Sequence, residues 1–155
     1  MAVICLTFVS CGSDEPTPTY KQINFNGKDY VYYDYDLPKT FERSSWRNGT
    51  LTISFTFGEL AEVKKGLYDC LIAIECEGGS KPSAGTNLTD YPHIATQIVI
   101  SMKSTRIFYE SGSAIVESVK DNDYITVKFK DFKCKTRLSE PYTFNGTVKL
   151  HYTVH

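Results

Sequence analysis

From Leu51 to Phe57 the chain alternates apolar and hydroxylated side chains without a break. Leu51, Ile53, Phe55 and Phe57 fall on one side, and Thr52, Ser54 and Thr56 on the other. A period of two is that of a β-strand with one face in a core. The period recurs along the chain. In residues 67–77, Cys70, Ile72, Ile74 and Cys76 share a face. Ile94, Thr96, Ile98, Ile100 and Met102 alternate, and residues 106–109 extend that strand after a kink. Ser111-Gly112-Ser113 breaks the chain before a shorter strand at 114–119. In residues 124–134, Ile125, Val127 and Phe129 keep one phase while Phe132 and Cys134 sit on the other. A β-bulge near Lys130-Asp131 reconciles the two phases. Val148, Leu150, Tyr152 and Val154 alternate last, with a bend or bulge at Asn145-Gly146.

Turn chemistry separates these runs. Ile23 and Phe25 lead into Asn26-Gly27, a strong hairpin signal, and Tyr30 to Tyr35 follow. Asp121-Asn122-Asp123 is a turn, residues 78–90 are a loop, and the polar stretch 43–49 reads as loop. Residues 59–65 form one or two helical turns or a polar turn. No amphipathic helix of three turns and no transmembrane segment is apparent. About eight strands with turns between neighbours predict an all-β domain over residues 20–155, a mostly antiparallel β-sandwich. A lipocalin-like closed barrel is the alternative, since eight strands can also close.

The first residues do not fit that domain. Residues 2–9 are almost wholly apolar yet too short to span a bilayer, as in the apolar region of a signal peptide. Val9-Ser10-Cys11 follows, and it resembles the lipobox of bacterial lipoproteins, in which the Cys is lipidated. Gly12-Ser13-Asp14-Glu15-Pro16-Thr17-Pro18 is polar and proline-broken, so it cannot bury a core. A Cys followed at once by acidic residues is similar to the tether of small surface lipoproteins of the Bacteroidetes type. The resemblance covers only these residues. It implies a signal peptide at 1–10, a lipidated Cys11 with a tether through residue 19, export, and attachment to the outer membrane, at the cell surface or facing the periplasm.

Composition changes this picture in one respect. The aromatic content is 14%, with 11 Tyr and 9 Phe, which suits a pleated half-buried surface. A net charge of −1 with scattered Lys and Arg shows no basic patch for a nucleic-acid backbone.

Candidate chemistry is sparse. Cys70 and Cys76 are too far apart on one extended strand to bridge each other, at roughly 20 Å. Either can meet Cys134 across neighbouring strands, so one disulfide to Cys134 is a candidate. No His or Cys pair has zinc-ligand spacing, and no metal or other cofactor is expected. Glu75 and Glu77 share a strand face, but paired acids on one strand usually form a solvated surface. No catalytic motif is present, which points to a protein that is not an enzyme. Around Tyr30-Val31-Tyr32-Tyr33-Asp34, the side chains of Val31 and Tyr33 are expected inward. Tyr30, Tyr32 and Asp34 are expected outward, and Trp46 lies in the polar stretch. Exposed rings beside carboxylates are what a sugar-binding surface uses. The reading is a lipid-anchored, non-enzymatic binding or accessory protein, its ligand a glycan or a partner protein. A carrier of a small apolar ligand and a structural subunit of a surface assembly are the alternatives.

Overall fold

A computed structural model describes residues 22–33, 44–58, 68–76, 79–91, 93–100 and 103–155. Nine strands form among them: β1 (Gln22–Phe25), β2 (Lys28–Tyr33), β3 (Ser44–Arg47), β4 (Thr50–Gly58), β5 (Tyr68–Glu75), β6 (His93–Ile100), β7 (Lys103–Lys120), β8 (Tyr124–Lys135) and β9 (Pro141–Val154). A 3-10 turn, Leu88–Asp90, lies between β5 and β6. The lipidation candidate Cys11, the tether, Asp34, Glu77 and the predicted turns at 59–65 lie outside the described residues.

The all-β, mostly antiparallel expectation holds. All strand pairs are antiparallel except β3 with β9. Of the two architectures, the pairings are those of the barrel, because they form one sheet that closes rather than two stacked sheets. The cause lies in β4 and β9, each of which uses both edges. One edge of β4 pairs with β5. Its other edge is shared by β3 at Thr50–Thr52 and β2 at Thr56–Gly58. One edge of β9 pairs with β8, and the other takes β1 at Phe144 and Asn145 and β3 at Tyr152–Val154. The meander from β4 to β9 is thus closed along a seam, by β3 near one end and by the β1–β2 hairpin near the other.

Two Asn-Gly turns set the seam. Asn26 and Gly27 have φ of 51° and 78°, and Asn48 and Gly49 have φ of 50° and 80°. Positive φ at both central residues gives the mirror-image turn whose twist suits a tight hairpin. The second turn makes a strand of the stretch read as loop. Ser44–Arg47 has no alternation of its own, and it is held extended by β4 on one side and β9 on the other.

The first turn also fixes which face of β2 is inside, and here the expectation is corrected. Ile23 and Phe25 are buried, Ile23 pairs with Tyr30, and Phe25 pairs with Lys28. Directly opposed residues share a face, so Tyr30 and Tyr32 point inward with them. Tyr32 is buried and Tyr30 packs against the core. The Tyr32 hydroxyl accepts a hydrogen bond from the Lys149 backbone N–H at 2.9 Å. Lys149 lies on β9 between the stretches that pair with β1 and with β3. Tyr32 therefore closes the seam where no strand does.

Inside, phenylalanines fill the region beneath the seam. Phe25 lies 5.0 Å from both Phe57 and Phe144, centroid to centroid, and Phe129 lies 5.4 Å from Phe132. Leu51, Ile53, Phe55 and Phe57 are all fully buried, as their alternation requires.

The bulge near Lys130-Asp131 is present. β8 carries one more residue than β9 between the pairs Phe129–Gly146 and Phe132–Phe144. Asp131 has φ 45°, and its N–H donates to the Asn145 Oδ1 at 2.7 Å. Gly112 faces this bulge on β7 with φ 97°, and a Cβ there would fall 1.9 Å from the Asp131 carbonyl oxygen. Glycine alone fits, so Ser111-Gly112-Ser113 does not break the chain: β7 runs through it as one strand with shifts of register.

Candidate functional site

The two ends of the barrel are built differently. At the end formed by the β3–β4 turn, the β5–β6 connection and the β7–β8 turn, side chains with polar tips point inward. Trp46 pairs with the buried Leu51 on β4 and with Val154 on β9, so it packs against the core from β3. Cys76 follows β5 and is buried; its N–H donates to the Gly49 carbonyl at 2.9 Å. Tyr152 is the last buried residue of the β9 alternation.

The segment 79–91 covers this end. Gly85 N–H donates to Val116 O at 2.8 Å and Val116 N–H donates to Thr86 O at 2.9 Å, along β7 beyond the reach of β6. The Asn87 side-chain Oδ1 accepts from the Ala114 N–H at 3.2 Å and from the Thr89 hydroxyl at 3.0 Å. Leu88 is buried beneath. An ion pair between Lys81 and Asp121 ties the segment to the β7–β8 turn. The predicted loop thus pairs with β7 through an isolated bridge between Asn87 and Ile115.

Cys76 interacts with both Tyr91 and Tyr152 at this end. The Tyr91 hydroxyl and the Cys76 thiol form a side-chain hydrogen bond. Burial pushes the Cys76 thiol above its ordinary pKa, against that hydrogen bond. Burial also raises Tyr91, and the thiol's charge adds to it. Tyr152 is pushed up to about 12, chiefly by burial, with contributions from Asp121 and Cys76. Its hydroxyl is buried and has no hydrogen-bond partner among the described residues. A buried phenol without an acceptor is costly to maintain, because its proton has lost water and gained nothing. Such a group in a folded protein calls for an explanation. At neutral pH this hydroxyl is protonated and is a hydrogen-bond donor, at the end of the barrel where Trp46 and Tyr91 pack against the core.

The residues singled out from sequence do not form one surface. Tyr32 lies in the seam. Tyr30 contacts Phe57 at 5.7 Å, near one end of β4, whereas Trp46 pairs with Leu51 near the other. Cys70, Cys76 and Cys134 are buried thiols. Cys70 lies on β5 and Cys134 on β8, with β6 and β7 between them, so they are not on neighbouring strands. Glu75 is exposed. No cluster of three metal-ligating side chains occurs among the described residues, and no helix there is long and apolar enough to cross a membrane. Sequence reasoning missed Tyr152 as a polar group. Its inward phase was visible, but what its hydroxyl meets depends on the segment 79–91 and the β7–β8 turn.

No family model, curated protein or solved structure matches the chain.

Proposed function

We propose that this chain is an exported, non-enzymatic binding protein, anchored to the outer membrane through lipid on Cys11. In this reading the barrel holds a small neutral amphiphile at its covered end. The observation that carries the reading is the buried Tyr152 hydroxyl, which has no hydrogen-bond partner among the described residues, at the end where Trp46 packs against the core. An acceptor on the ligand, such as a carbonyl oxygen, would complete the hydrogen bond, and the apolar body would lie against the rings. A carboxylate fits less well, because Asp121 and Cys76 already make the surroundings unfavourable to negative charge. The non-enzymatic part is supported by the direction of the shifts. Cys76, Tyr91 and Tyr152 are all moved away from neutrality, where a general base or nucleophile is of least use.

The test uses the full chain carrying Cys11→Ser, titrated with Nile red, a neutral dye with a carbonyl acceptor, while Trp46 emission is recorded. Saturable binding that alters Trp46 emission and weakens about tenfold in Tyr152→Phe is expected, the value of one buried hydrogen bond. Absence of saturable binding would overturn the carrier reading. The anchor is tested separately: radiolabelled palmitate should enter the native chain and not Cys11→Ser.

A further inference from the structure

The scattered lysines of the sequence gather on one wall once β8 is folded. Lys128 and Lys130 point outward from the first half of the strand. The bulge at Asp131 adds one residue, and it is this residue that keeps Lys133 and Lys135 outward while Phe132 and Cys134 stay inside. Four lysines thus line the outer face of a single strand, spaced about 7 Å apart except across the bulge. Glu117 pairs with Lys128 at 3.6 Å, and Glu110 pairs with Lys135. Asp131 and Glu140 are the other acids nearby, and Arg106 and Arg137 add charge at the far end of the strand.

A second feature lies at that same corner. Leu138 is 93% exposed and Phe108 is 37% exposed, the two large exposed hydrophobics of the described residues. Phe108 pairs with Lys135, and Leu138 sits three residues beyond Lys135 in the β8–β9 turn. The Arg106 guanidinium lies 5.9 Å from the Phe108 ring. Cationic side chains around protruding apolar ones are the arrangement that rests on an anionic bilayer, lysines at the headgroups and apolar tips below them. A nucleic acid would use the lysines but leave Leu138 without a role.

We infer that the β8 wall, with Leu138 and Phe108 at its corner, is a docking surface for anionic phospholipid. This rests in part on the anchor. The eleven Cα–Cα steps from Cys11 to Gln22 reach at most about 40 Å, so a lipidated chain keeps the barrel within contact of the membrane. One lipid chain set plus a basic surface is a common two-part attachment. The four lysines lie on the outer face of β8, whereas Tyr152 is buried inside.

The experiment takes the full chain with Cys11→Ser and sediments it with phosphatidylcholine vesicles, with and without phosphatidylglycerol. Binding is expected only with the anionic lipid, falling as salt rises. Lys130→Glu with Lys133→Glu should weaken it more than tenfold, at about fivefold for each lysine removed. Leu138→Ser should weaken the part that survives salt. A folded protein that ignores anionic vesicles overturns the inference, as does binding unchanged by the lysine pair. Because lipid is absent from Cys11→Ser, a failed anchor leaves this measurement intact.

Discussion

Two buried tyrosines divide the barrel into a region that is satisfied and one that is not. Tyr32, in the seam, is 5% exposed, and its hydroxyl accepts from the Lys149 backbone N–H. Tyr152, at the covered end, is 1% exposed, and its hydroxyl meets no partner among the described residues. Both rings contribute apolar burial of similar size. The polar atom separates them: in the seam it supplies backbone pairing that the sheet lacks, and at the covered end it is a cost borne by the fold. A group that lowers stability at one end of a well-satisfied barrel is where a ligand-binding role is best sought.

The same substitution at the two positions should therefore have opposite signs. Removing the whole side chain at the seam comes first in size. Tyr32→Ala should destabilise by about 3–5 kcal/mol in chemical denaturation, through lost packing and the unsealed seam. Tyr32→Phe keeps the ring and strands the Lys149 N–H, at about 1–3 kcal/mol of lost stability. Tyr152→Phe should be neutral or stabilising by about 1 kcal/mol, because a desolvated hydroxyl disappears. A destabilising Tyr152→Phe would mean that its hydroxyl is satisfied after all, and the contrast would collapse.

A pH titration sharpens the contrast. A tyrosine ionises near 10.0 when unfolded, and Tyr152 does so only at about 12 when folded. Between these values the unfolded chain binds fewer protons than the folded one. The Tyr152 contribution is thus fully present below pH 10 and is lost as pH rises toward 12. The difference in stability between the native chain and Tyr152→Phe should shift in favour of the variant across that window and stay flat below it. The smallest effect is expected for Lys81→Met, which removes a partly exposed ion pair worth less than about 1 kcal/mol. Its readout is faster amide exchange in residues 79–91, with the seam unchanged.

Much of this was legible in the residues, and the failures have physical causes. The β4 alternation, the Asn26-Gly27 hairpin and the bulge at Asp131 are local patterns, and each is found where it was read. The phase of Tyr32 was local too. With Ile23 and Phe25 inside, a two-residue turn forces Tyr30 inside, and Tyr32 follows two residues on. That inference was available from the turn, whereas the aromatic pattern of β2 alone is ambiguous. Strand β3 was invisible because Ser-Ser-Trp-Arg has no period, and it is extended only because β4 and β9 hold it from either side. Closure was invisible for the same reason, since the pairings of β1 and β3 with β9 join residues about a hundred positions apart. The lysines of β8 were in plain view, but their common face appears only once the bulge is placed.

The seam also bears on time. Both closing contacts run to β9, the latest of the nine strands to be synthesised. Until β9 has been made, β1 and β3 lack the partner that shuts the sheet, and such long-range pairing forms slowly. The emerging chain is left open and threadable for as long as its synthesis lasts, which is the state that the proposed export would require.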